Sequence, residues 1–170
     1  MPDLHAYRMS AEMAAAYIAR CAERSAMLRA FAEEHAEQHP NHPVVVDDSP
    51  FGLDRLTLGF ADDTDAVPEG LSRSQRRTYL RPMRGRKGDP WRAAMRRVSA
   101  APKVDEVFHR FRVDMSVQDS TTSRNYRIGV RELDGGVVIT CGAALPESPH
   151  LTPMRLSEYY AAIESEVPSA

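Results

Sequence analysis

The sequence predicts an α+β protein: a mainly antiparallel sheet of about four to five strands, with one long N-terminal helix and shorter helices packed on it. Three observations carry this expectation. Apolar residues recur at three- and four-residue spacing over residues 10–39, the period of a helix face. Residues 126–131 alternate in polarity, and a more continuous apolar run returns after the turn Asp134-Gly135-Gly136, the pattern of a hairpin. Short β connections dominate over strict strand–helix alternation, which favours antiparallel pairing with helices packed on the sheet. The 170 residues fit a single domain spanning 1–170.

The helix over 10–39 has Met13, Ala14, Tyr17, Ile18, Cys21, Ser25, Leu28, Phe31, Ala32 and His35 on its inner face. Ser10 is placed to cap it, and His39-Pro40 ends it, because the residue before a proline is driven out of the α region. Arg20, Glu23, Glu33, Glu34 and Glu37 lie on the other face. The inner face is rich in Ala and small residues, so a sheet, another helix or a second copy of the chain can approach it closely. A homodimer through helix 10–39 is one reading of that face.

A β pair follows over 44–60, with Val44-Val45-Val46 and Leu56-Thr57-Leu58-Gly59-Phe60 as strands and Asp47-Asp48-Ser49-Pro50 as the turn. The acidic loop 61–70 holds Asp62, Asp63, Asp65 and Glu69, but it lacks the Gly and Glu positions of a calcium-binding loop. A second helix over 89–100 starts with Asp89 as cap and Pro90 in the first turn. Trp91, Ala94, Met95 and Val98 share one of its faces, and Arg92, Arg96 and Arg97 point elsewhere. A short helix at Val104–Phe111 and a strand at Val113–Val117 are expected next. The continuous apolar run Val137–Cys141 in the 126–142 hairpin suggests an interior strand. A C-terminal helix over 156–164 closes the chain, docked by Tyr159, Tyr160 and Ile163.

Charge is distributed unevenly. Residues 73–97 carry ten Arg or Lys and one acid, Asp89, for a segment charge of +9. Residues 1–69 sum to −8 and residues 98–170 to −3, so the overall charge of −2 conceals a basic block. Arginine outnumbers lysine 20 to 2 and alanine is abundant, as GC-rich coding produces. The clustering of arginine therefore carries more weight than its total. Such a block suggests a polyanion or an acidic surface as partner.

Within the block, Gly85 and Gly88 surround Arg84, Arg86 and Lys87 just ahead of a helix start, where backbone amides and the helix dipole favour phosphate. The phosphate-loop motif itself is absent, because Gly88-Asp89 follows Lys87. The expected binding residues are Arg76, Arg77, Arg81, Arg84, Arg86, Lys87, Arg92 and Arg96, in phosphate contact without base reading. Pairing of the block with the acidic stretch 47–69 is the competing structural reading, and an acidic protein is a further partner.

His35, His39 and His42 form a second cluster. Histidines one helical turn apart can share zinc, which frames a metal-dependent enzyme as a third reading. Ala36 stands where a zinc-protease motif requires Glu, and the cluster sits at a helix end, where protonated His suits the dipole. Ser116, Ser120, Thr121, Thr122 and Ser123 supply hydroxyls, with His109 and His150 as possible bases, yet no nucleophile elbow is present. Cys21 and Cys141 are far apart and in no metal spacing, which reads as two buried thiols in a cytoplasmic protein. No apolar run approaches 18 residues and no secretion signal is visible, so no membrane partner is expected. The sequence reading is a non-catalytic binding protein without cofactor. It docks a nucleic-acid backbone through 73–97, or, on the second reading, a protein through the Ala-rich helix 10–39.

Overall fold

The structure is a computed structural model that describes residues 4–39, 44–47, 53, 57–60, 70–75, 90–115 and 127–166. In chain order the elements are β1 (His5–Met9), α1 (Ala11–Gln38), β2 (Val44–Asp47), β3 (Thr57–Phe60), α2 (Pro90–Ala100), α3 (Glu106–Arg110), β4 (Arg127–Leu133), β5 (Gly136–Cys141), β6 (Leu151–Met154) and α4 (Leu156–Glu166). The architecture is α+β, with a four-stranded antiparallel sheet in the order β4-β5-β1-β6 and a separate antiparallel pair, β2-β3. Among the described residues no helix is long and apolar enough to cross a membrane.

The chain divides into two compact units. One comprises Met1–Glu23, Ser49–Arg55 and Lys103–Ala170; the other comprises Arg24–Asp48 and Leu56–Pro102. Helix α1 supplies its first part to one unit and its remainder to the other.

In the first unit the four-stranded sheet is buried on both faces. Tyr7, Met9, Val130, Val137, Ile139, Cys141 and Leu151 pack against Met13, Ala14, Tyr17 and Cys21 of α1 and Val107 and Phe108 of α3. Ala6, Leu133 and Val138 pack against Tyr159 and Ala162 of α4. The two sets alternate along each strand because successive side chains point to opposite faces. Val137 to Cys141 are all buried, as the unbroken apolar run of an interior strand requires. Asp134 (φ 50°) and Gly135 (φ 68°) form a two-residue turn with positive φ at both positions, the geometry that matches strand twist.

Two strands were not anticipated from the sequence. β1 is the interior partner of β5 and β6, yet it is five residues long and precedes the helix signal. β6 contains Pro153, which argues against a strand; its position at the sheet edge lets a missing N–H go unpaired. Conversely, the strand expected at Val113–Val117 is not formed over 113–115, and residues 116–117 lie outside the described residues. Val113 instead completes the stop of α3. Its N–H donates to the Phe108 carbonyl (2.9 Å) and that of Arg112 donates to the His109 carbonyl (3.1 Å), with Arg112 at φ 54°. This is a left-handed helix stop with Arg where Gly is usual, and burial of Val113 beside Phe108 holds it.

Helix α1 begins where Ser10 was expected to cap it. The Ser10 Oγ accepts the Met13 N–H (3.3 Å), and the Ser10 carbonyl accepts the Ala14 N–H (2.9 Å). The same Oγ lies 3.3 Å from His150 Nδ1, and the Ser10 N–H donates to the His150 carbonyl at 2.8 Å. Ser10→Ala removes the cap and the side-chain link to His150. It is expected to cost about 1 kcal/mol in urea unfolding; an unchanged midpoint would show that the cap is not used.

Of the ten residues expected on the inner face of α1, eight are buried. Ser25 is half-buried, and Ile18 is 37% exposed. Ala14 and Ala32, the small residues that suggested close approach by a second copy, are core side chains of this chain itself. On α1 and α3, Arg20 hydrogen-bonds Glu23 (2.8 Å), Glu106 and the Lys103 carbonyl (3.3 Å). The Glu23 hydrogen bond, with Glu106 beside it, raises the Arg20 guanidinium above its ordinary value, so this staple stays charged at any physiological pH.

Candidate nucleic-acid interface

Helix α2 builds the longer described part of the basic block. Its sequence, PWRAAMRRVSA, contains three arginines and no acid. Pro90 occupies the first helical position, where a missing N–H costs nothing. Asp89, its expected cap, lies outside the described residues. Ala94 is buried with Phe31 and Ala32 of α1 and Val44 of β2, and Val46 packs at the edge of this cluster. An alanine at the contact point lets the two helices approach closely. Met95 was expected on the same inner face, but one residue beyond the contact it is carried to the rim and is 45% exposed.

The outer side of α2 follows from this rotation. At about 100° per residue, Arg92, Arg96 and Ser99 lie on the side opposite Ala94, with Ala93 and Ala100 flanking them, and all five are exposed. Arg92 and Arg96 are one turn apart, with the small side chains of Ala93, Ser99 and Ala100 among their neighbours on the helix. Among the described residues neither is paired with a carboxylate. Arg97 behaves differently. Its Nη2 donates to Glu34 Oε2 at 2.5 Å, and its guanidinium lies over the Phe31 ring, 5.5 Å from the centroid.

The start of the block has its own local order. The Ser72 N–H donates to Gln75 Oε1 (2.8 Å), and the Gln75 N–H donates to Ser72 Oγ (3.3 Å). This reciprocal capping box opens a helical turn over 73–75 that carries exposed Arg73. The S-x-x-Q spacing is its sequence signal, which a reading by charge alone passes over. Arg76, Arg77, Arg81, Arg84, Arg86 and Lys87 lie outside the described residues. So do Asp62, Asp63, Asp65 and Glu69, which the competing reading pairs with them.

Comparison with known proteins finds no matching family model, no curated relative and no solved structure of similar fold. The candidate interface therefore rests on the chemistry of this chain.

The other candidate residues are placed as follows. His35 is 3% exposed, with ring centroids of Phe31 at 5.5 Å and His39 at 4.7 Å. His35 is thus buried on the inner face of α1, where the helical spacing places it. His39 is half-buried, and His42 lies outside the described residues. Among the described residues no three His, Cys, Asp or Glu side chains gather as a metal-ligand set. His150 meets Ser10, but the Ser10 Oγ is engaged at the helix start and the ring packs edge-on to Phe111 at 4.9 Å, so this pair serves as a structural corner. His109 is exposed on α3. Ser116, Ser120, Thr121, Thr122 and Ser123 lie outside the described residues. Both Cys21 and Cys141 are buried in one core cluster.

Proposed function

We propose that this protein is a non-catalytic binding protein that docks a nucleic-acid backbone through its basic segment. Arg92 and Arg96 lead the contact from the outer side of α2, and Arg76, Arg77, Arg81, Arg84, Arg86 and Lys87 extend it. One observation carries the reading: two exposed arginines, one helical turn apart, on a helix with no acid, and with no carboxylate partner among the described residues. Guanidinium groups left unpaired at a surface favour phosphate oxygens, which they bind through charge-assisted, bidentate hydrogen bonds. Small neighbours (Ala93, Ser99 and Ala100) leave both side chains clear to reach a strand. The contact is to phosphate, so binding is governed by counterion release and tolerates changes of sequence.

The test is fluorescence anisotropy of labelled duplex DNA and single-stranded RNA with the full chain, from low to high salt. The expected result is tight low-salt binding that weakens with a log–log slope of several units, similar for unrelated sequences. Flat anisotropy at low salt and micromolar protein overturns the proposal.

A further inference from the structure

Arg96 and Arg97 are adjacent, with Cα atoms about 3.8 Å apart, yet they have different surroundings. Arg96 is exposed with no carboxylate partner among the described residues, whereas Arg97 is held by Glu34 at 2.5 Å. The two partners are 53% and 47% exposed at their side chains, so the pair lies at the surface beside the outer side of α2. A surface ion pair of this kind is held by little free energy, because water and salt compete for both charges. A carboxylate presents two oxygens to a guanidinium in much the same way as a phosphate does. Glu34 thus occupies the position on Arg97 that a backbone phosphate would take.

We infer that Glu34 is an intramolecular competitor for nucleic acid, withholding Arg97 from the phosphate-contacting set that Arg92 and Arg96 begin. The inference rests on the binding proposed above and adds its regulation. With Glu34 on Arg97, α2 offers two phosphate contacts. With the Glu34 carboxylate removed or displaced, Arg97 swings from α1 to the strand held by Arg96 and α2 offers three.

The experiment compares the salt dependence of anisotropy for wild type, Glu34→Gln, Arg97→Gln and the double variant, with duplex DNA and single-stranded RNA probes. All four proteins are first compared by thermal unfolding so that only folded variants are titrated. Glu34→Gln is expected to steepen the slope by about 0.9 on duplex and about 0.7 on single strands, the value of one added phosphate contact. Arg97→Gln alone is expected to match wild type, and the double variant to return to the wild-type slope. Three results overturn the inference: a Glu34→Gln slope equal to wild type, a Glu34→Gln gain that persists without Arg97, or a shallower slope for Arg97→Gln alone. The second would mean that Glu34 acts only through the general field, and the third that Arg97 already touches phosphate. Absence of salt-dependent binding by wild type is a separate outcome, which removes the proposed function itself.

Discussion

Exchanging both Arg92 and Arg96 for glutamate is expected to remove most low-salt nucleic-acid binding without disturbing the fold. Each lost phosphate contact lowers the log–log salt slope by about 0.9 on duplex DNA, so two lower it by about 1.8. If the electrostatic contribution vanishes near 1 M salt, that change weakens binding at 50 mM by roughly two hundredfold. The introduced carboxylates add repulsion on top. Both side chains are exposed and Ala94 carries the packing of α2, so circular dichroism and thermal unfolding should stay near wild type. The loss should be uniform across DNA sequences, because phosphate contacts carry no base information. Unchanged binding by this double variant would move the interface off α2. A loss that depends on sequence would mean that base edges are read.

The second large effect is on stability. Phe108→Ala is expected to destabilise the first unit by about 3–5 kcal/mol, the range for deleting a buried aromatic ring. Phe108 is 2% exposed, and its ring meets that of Tyr17 at 5.5 Å and 62°, an edge-to-face contact between α3 and α1. It also anchors the stop of α3, since Val113 packs with it and donates to its carbonyl. Helix α3 is only five residues long and cannot hold itself in water. Against a total stability of about 5–15 kcal/mol, the loss is a large share of what keeps the sheet covered. Urea unfolding read by far-ultraviolet circular dichroism measures it. A shift below about 1 kcal/mol would show that the Tyr17–Phe108 contact is peripheral to the core.

Much of the architecture is legible in local patterns. Helix α1 was expected over 10–39 and spans Ala11–Gln38; the helix expected over 89–100 spans Pro90–Ala100. The Asp134-Gly135 turn and the buried return strand follow from residues close in sequence, as does the Val44/Phe60 pair. The failures have a common cause. β1 and β6 are short, and they are strands because β5 and β1, respectively, lie beside them. Arg112 adopts positive φ because burial of Val113 outweighs a propensity that favours glycine there.

The candidate site divides in the same way. Sequence alone determined the concentration of positive charge in 73–97 and the helix that displays part of it, since composition and caps are local properties of the chain. It also determined which residues of α1 turn inward at most positions, through their period. Only the tertiary structure decided which arginines of α2 remain available. Glu34 and Arg97 are 63 residues apart and meet because Ala94 seats α2 on Phe31 and Ala32. The rotation that buries Ala94 turns Arg92 and Arg96 away from α1 and carries Arg97 toward it. An ion pair across so long a stretch of chain depends on how two helix faces pack, and no local pattern of residues encodes that rotation.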